Sequence, residues 1–277
     1  MLPTFLVIGA MKAGTTSLHA KLAAHPEMFM ASPKELHFFV ESKNWGRGRA
    51  WYESKFDGAG AARARGEISP SYSQADVFPG VPERIAEMIP DVKIVYLVRD
   101  PIERLRSMYL HQVASGRETR SVADAVANDD IYVNASRYAW QLERFRTCFP
   151  RDQIHVVTTD QLRLGRLERD GGLFSFLGVR DVSEVDQSVR RGVTRDTRVA
   201  GSGLRLLRRS RAYRAGAALV PRPIRAVVRR VATRRIDASI AELPSEIEAA
   251  LRRQLALDVV GLRDYLGPDF DCWGLAR

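Results

Sequence analysis

The sequence predicts an α/β architecture, a central and mostly parallel sheet covered by helices on both faces. Three observations predict it. Short apolar runs at Phe5–Gly9, Val92–Val98 and Gln153–Thr158 have the β-branched and aromatic content of buried strands. Each is followed by residues with helical patterning. Strands that alternate with helices return to one sheet through crossovers, which makes the sheet parallel and covers both of its faces.

The elements follow in order. The first run ends in glycine at Gly9, which closes a strand, and Thr15 opens a helix. Tyr138, Leu142, Phe145 and Phe149 recur at spacings of four, three and four, an amphipathic helix that stops before Pro150. The last clear helix begins after Pro244 and runs to about Tyr265. No Pro/Gly/Ser-rich linker divides the 277 residues, and 45% apolar content is enough for one substantial core. The chain is therefore expected to form a single domain over 1–277, with an α/β core at 1–180 and a helical, arginine-rich part at 181–277.

Charge narrows the class of ligand. The formal charge of +10 comes from 43 basic and 33 acidic residues, and eleven arginines with no acidic residue lie between Arg205 and Arg235. Such a bias favours phosphate, sulfate, anionic lipid or nucleic acid without choosing among them. The stretch "MLPTFLVIGA" has no basic leader and too short an apolar run to span a bilayer, so a cytoplasmic protein without a signal peptide or transmembrane segment is expected. Cys148 and Cys272 lie far apart, which argues against a disulfide framework and offers no metal-ligand spacing. Both are expected to be reduced and structural.

The stretch "FLVIGAMKAGTTSL" carries the most chemistry. A small-residue loop between a strand and a helix aims backbone N–H groups and the positive end of the helix dipole at one spot, an anion site. Gly9 and Gly14 keep the glycine spacing of G-x-x-x-x-G-K-[ST], but Thr15 stands at the lysine position and Lys12 lies two residues before Gly14. A triphosphate with Mg²⁺ needs an acidic residue ending another strand, whereas Asp100 follows Arg99 and opens a turn and helix. The metal site is thus poorly supported. A lysine inside the loop can instead donate to the bridging oxygen of a leaving group. A sulfuryl group carries less negative charge than a terminal phosphoryl, so lysine and backbone donors neutralise it without a metal. The competing structural reading is a strand-to-helix turn capped by threonine. The fold implied is a P-loop-type, three-layer one.

Four blocks, "GAMKAGTTSL", "SPKELHFF", "GEISPSY" and "VRDPIERLRSMYLH", carry a resemblance to the sulfotransferases that use 3′-phosphoadenosine 5′-phosphosulfate (PAPS). More narrowly, the chain resembles the branch that contains the heparan sulfate sulfotransferases and many bacterial relatives. The blocks order the first 111 residues as in that family, and "RYAWQLERFRTCFPRDQIHVV" with "FLGV" extends the likeness to about Val179. The resemblance implies a nucleotide-binding core with PAPS as co-substrate, no metal, and a hydroxyl or, less favoured, an amine on a small-molecule, carbohydrate or lipid acceptor. Lys12, Ala13, Gly14, Thr15, Thr16 and Ser17 are the implied cradle for the 5′-phosphate, with Lys12 stabilising the departing phosphate oxygen. Glu35 is the implied general base, and His37 either assists or orients it or packs beside Phe38 and Phe39. Arg99 at a strand end and Ser107 eight residues later are the implied holders of the 3′-phosphate. Arg99 could instead form a surface ion pair with Asp100 that caps the helix. Tyr138 lies near the cofactor or packs in the core, and packing suits its apolar stripe better. Arg104, Arg106, Tyr109 and His111 have the spacing of a mixed exposed face and receive no role.

Two departures bear on the acceptor and the lid. Ile68 stands where the heparan sulfate enzymes carry a lysine, which argues against a sulfated glycosaminoglycan acceptor. Past Val179 the cofactor-capping loop is not clear; "RRGVTRDTRVAGSG" is its counterpart, with Arg195 or Arg198 as candidates for the 3′-phosphate. From Pro223 the spacing predicts a basic amphipathic helix with Ile224, Val227, Val228 and Val231 on one face. It is a solvated helix, a lid, or a surface for peripheral membrane contact or an anionic acceptor. Nucleic acid is disfavoured, because interleaved aromatics are absent. Two other classes of function stay open: a P-loop kinase using ATP and Mg²⁺, and a non-catalytic anion- or membrane-binding protein.

Overall fold

The computed structural model describes residues 1–168, 172–181, 198–200, 233–235 and 237–276. The first half runs β1 (Phe5–Gly9), α1 (Thr15–Ala23), β2 (Met28–Met30), α2 (Gly48–Glu53), β3 (Ala64–Ile68), α3 (Val81–Met88), β4 (Lys93–Val98) and α4 (Pro101–Ser115). It continues with α5 (Val122–Asn128), α6 (Ile131–Asn134), α7 (Tyr138–Arg146), β5 (Ile154–Thr158), α8 (Thr159–Arg163) and α9 (Leu173–Leu177). A ribbon of β6 (Arg198–Ala200) and β7 (Thr233–Arg235) precedes α10 (Ser245–Val260) and α11 (Arg263–Leu266).

Five strands form one parallel sheet in the order β2-β3-β1-β4-β5, with Phe5 opposite both Gly66 and Lys93, and Ile94 opposite Ile154. Every residue of β1 is buried, as are the last five of β4, so both sheet faces are covered and the strands read as unbroken apolar runs. The predicted fold class holds, with the three expected strands displaced by at most one residue. β2 and β3 were not foreseen. β3, "ARGEI", carries an arginine, a glycine and a glutamate, and neither strand signal survives that composition. Gly66 is nevertheless required there: a Cβ at this position would sit 2.1 Å from the Phe5 ring on β1.

The chain leaves β1 toward β2 and β3, then crosses over to β4 on its other side. This reversal places a topological switch point at the carboxyl end of β1. A second apolar cluster joins α4, through Ile102, Leu105 and Met108, to α10, through Leu251, Leu255 and Val259. The Asp258 carboxylate of α10 accepts from the N–H groups of Ala139 and Trp140, at 3.0 and 2.9 Å, and so caps the start of α7.

Among the described residues of the C-terminal third, two expected helices are revised. Thr233–Arg235 is a strand that pairs antiparallel with Arg198–Ala200, which satisfies backbone groups across the ribbon and overrides the helical spacing. The remainder of the basic helix expected from Pro223 lies outside the described residues, as does Arg195. The helix expected to run from Pro244 to Tyr265 is split by a turn at Gly261 into α10 and α11. Among the described residues no helix is long and apolar enough to cross a membrane.

Candidate active site

The loops after the carboxyl ends of all five parallel strands supply residues to one cleft of about 1680 Å³. Lys12, Ala13, Gly14, Thr15, Thr16 and Ser17 come from the loop after β1 and the start of α1; Glu35 and His37 follow β2; Ser71 follows β3; Arg99 and Ser107 follow β4; Thr159 follows β5. Every sequence-predicted residue before position 180 therefore lines the same cleft. Arg198 lies in β6.

The β1–α1 loop is built for backbone donors. Gly14, at φ 101, occupies the left-handed region that glycine alone enters freely, and it ends the loop at α1 without a side-chain cap. Lys12 is also left-handed, at φ 72. Thr159 anchors the loop from below: its hydroxyl lies 2.6 Å from Ala13 O and 3.0 Å from Val98 O. Thr15 is buried and Thr16 exposed. Burial and the neighbouring Arg99 lower the pKa of Lys12, while Glu35 opposes that shift. A cationic loop that lacks a capping side chain and is held by its own fold is suited to an anionic group.

Arg99 is placed by its backbone. Its carbonyl accepts from the Tyr138 hydroxyl at 2.7 Å, and its guanidinium pairs with Glu103 at 2.9 Å and reaches Lys12 O at 3.5 Å. Tyr138 is thus a core residue, 0% exposed, that braces a cleft residue. Asp100 does not pair with Arg99. It caps α4 instead, accepting from Ile102 and Glu103 N–H at 2.8 and 2.9 Å. That carboxylate is committed to the helix, so Asp100 is not the strand-end acid of a nucleoside triphosphate–Mg²⁺ site. Among the described residues no three His, Cys, Asp or Glu side chains gather as metal ligands.

Glu35 is half-exposed, ion-paired to Lys34 at 2.5 Å, and its Oε2 lies 3.6 Å from His37 Nε2. The His37 ring bonds Ser71 Oγ through Nδ1 at 2.6 Å. Burial, then Lys43 nearby, lower the His37 pKa and favour the neutral ring. The tautomer that lets Ser71 donate to Nδ1 carries its proton on Nε2, facing Glu35. His37 therefore stands beside the Glu35 carboxylate, where orienting it is one of the roles left open from sequence, at a separation longer than a direct hydrogen bond.

Sequence reasoning missed Ser71, Thr159 and the buried Glu67. The available signal was hydroxyl-rich residues at strand ends: "SPSY" after β3 and "TT" closing β5. Arg104 and Tyr109, read as parts of an exposed face, are buried.

Parallel strands with a cationic loop at the switch point define a P-loop-type anion-binding enzyme fold. The sulfotransferase domain matches residues 2–202, and the chain belongs to this family. It is 34% identical over 174 residues to human heparan sulfate glucosamine 3-O-sulfotransferase 5, covering 58% of this chain and 49% of that protein. It is 28% identical over 228 residues to the bifunctional heparan sulfate N-deacetylase/N-sulfotransferase of Drosophila melanogaster, covering 68% of this chain and 21% of that one. The chain thus spans half or less of the length of these relatives. The crystal structure of a sulfotransferase from Alicyclobacillus acidocaldarius shares the fold, with a TM-score of 0.68, 24% identity and 99% coverage of both chains.

Proposed function

We propose that this protein transfers a sulfuryl group from PAPS to a hydroxyl, less favourably an amine, of a small-molecule, carbohydrate or lipid acceptor. The observation that carries the reading is the convergence of Lys12 and Glu35 on one cleft from the ends of neighbouring parts of the sheet, with Arg99 and Ser107 lining the same cleft. Family membership supports it.

Glu35 takes the proton from the acceptor oxygen as that oxygen attacks sulfur. The bond from sulfur to the bridging phosphate oxygen breaks, and the Lys12 ammonium neutralises the charge left on that oxygen. Arg99 and Ser107 hold the 3′-phosphate by forked and hydroxyl donors, and Ala13, Gly14, Thr15, Thr16 and Ser17 hold the 5′-phosphate. Arg195 and Arg198 are carried as further 3′-phosphate contacts. The cleft exceeds the roughly 300–1,000 Å³ of a single ligand pocket, which suits a nucleotide and a second reactant together.

Ile68 supports an acceptor other than a sulfated glycosaminoglycan, because its side chain is 1% exposed and brings no cation to the cleft. A single domain over 1–277 is part of the proposal; the packing of α10 on α4 supports it. So is a cytoplasmic setting, in keeping with the free thiols of Cys148 and Cys272.

The test is a melting measurement with adenosine 3′,5′-bisphosphate and, separately, with ATP and Mg²⁺. Saturation a hundredfold above Kd adds about 2.7 kcal/mol of stability. A shift with the bisphosphate alone supports the reading. A shift only with ATP and Mg²⁺ indicates a kinase, and no shift with either indicates a non-catalytic protein.

A further inference from the structure

Glu35 and His37 both have left-handed backbones, at φ 66 and φ 48. Non-glycine residues there are strained by about 1–2 kcal/mol each, and such geometry persists only when its surroundings over-determine it. What fixes it lies one layer down.

Glu67, on β3, is 1% exposed and has no cationic partner among the described residues. Its carboxylate accepts from the hydroxyls of Tyr52 at 2.9 Å, Tyr72 at 2.6 Å and Ser69 at 3.2 Å, with the Leu36 N–H as a further donor. The two nearer hydroxyls in sequence do more than satisfy it. Ser69 Oγ also accepts from His37 N–H at 2.9 Å, and the Tyr72 hydroxyl accepts from Phe39 N–H at 3.4 Å. An ionised carboxylate is an acceptor only, so both hydroxyls must donate inward and keep their lone pairs for the loop.

We propose that Glu67 is a positioning residue for the loop that carries Glu35 and His37: one buried carboxylate takes the Leu36 N–H itself and sets the direction of the two hydroxyls that hold the N–H groups of His37 and Phe39. Its bearing on turnover rests on the reading of Glu35 as the base; its bearing on loop order does not.

Protonation reverses part of this arrangement, because an acidic O–H must point at one of the oxygens that now donates. Burial raises the Glu67 pKa to about 7, against the opposing pull of its hydroxyl donors. The titratable groups facing it are Tyr52 from α2 and Tyr72 from the turn after β3, both pushed well up by burial and by Glu67 itself. The His37 backbone N–H stands one hydroxyl away through Ser69, and its ring is turned to Ser71 instead. Loop order and turnover therefore rise with pH through about 7.

Amide hydrogen exchange on the intact protein at pH 8 tests the proposal in wild type, Glu67→Gln and Ser69→Ala. Glu67→Gln is expected to speed exchange at Leu36, His37 and Phe39 tenfold or more, and Ser69→Ala at His37 alone, while Leu6 and Val95 in the sheet stay protected. With an acceptor in hand, Glu67→Gln lowers kcat at least tenfold, leaves bisphosphate Kd within threefold, and loses the rise in kcat near pH 7. Unchanged exchange at Leu36–Phe39 overturns the proposal, and so does a uniform rise across the sheet. Should Glu67→Gln not fold, Ser69→Ala decides by the same amide. Loosened amides in a protein that sulfates nothing leave the positioning role standing and remove only the proposed reaction.

Discussion

Arg104 shows how far a side chain's place can differ from its spacing. It is 0% exposed, with Nε donating to Ser136 Oγ at 2.6 Å, Nη2 to Tyr132 O at 2.5 Å and Nη1 facing Met108 Sδ at 3.2 Å. Burial lowers its pKa. Desolvating a guanidinium without a carboxylate costs several kcal/mol, and hydrogen bonds to neutral groups offset only part of it. Volume is then the larger consideration. Arg104→Ala is expected to lower unfolding free energy by about 2–4 kcal/mol, as large-to-small core changes do, whereas Arg104→Met loses less than about 1.5 kcal/mol. Urea unfolding of the two variants checks the order, and equal losses would falsify it. In the cleft, Glu35→Gln is expected to cut turnover by about 10² to 10⁴-fold with bisphosphate binding kept, and Lys12→Ala to weaken both; steady-state rates and melting shifts together separate the two. The displaced Lys12 and the strand-end Arg99 were legible in sequence because local spacing fixes them. Glu67 was not, because its partners Tyr52, Ser69 and Tyr72 come together only when α2 packs on β3.

At the scale of elements, the turn between α4 and α5 is tied down by Glu118. Its carboxylate accepts from the Arg120 side chain, from the N–H groups of Thr119 and Arg120, and from the Tyr132 hydroxyl on α6. These donors, Arg120 first, lower its pKa from 4.5 to about 2. A carboxylate whose pKa is depressed on folding contributes stability above its unfolded value and loses it as pH falls toward the folded one. Melting temperature is therefore expected to drop between about pH 4.5 and pH 2, and Glu118→Gln to remove this part of the drop while lowering stability at pH 7. Thermal melts across that range read it directly. The Asp258 cap on α7 behaves as a separate joint: Asp258→Ala is expected to cost about 1–2 kcal/mol, most of it by freeing the start of α7 from α10. The strands that sequence revealed, β1, β4 and β5, are those dominated by buried β-branched and aromatic residues. β2 has three residues, and β3 hides its role behind a buried carboxylate.

For the whole molecule, the charge of +10 is concentrated in a segment mostly outside the described residues. Basic segments near anionic lipid gain about 1 kcal/mol per Lys or Arg, screened within a Debye length of about 8–10 Å at physiological salt. If the arginines serve peripheral contact, cosedimentation with phosphatidylserine vesicles falls steeply between 50 and 300 mM salt; binding indifferent to salt or lipid charge removes that role. The fold class was readable because parallel strands announce themselves locally. The cleft was readable only in part, since the serines after β3 and the threonine after β5 acquire meaning from the sheet order, which no local pattern encodes. That order has a corollary. The loops proposed to hold the donor follow β1, β4 and β5, while those proposed to meet the acceptor follow β2 and β3 toward one margin of the sheet. Under the proposed reaction, substitutions at that margin are expected to change which acceptor is used while bisphosphate binding is kept.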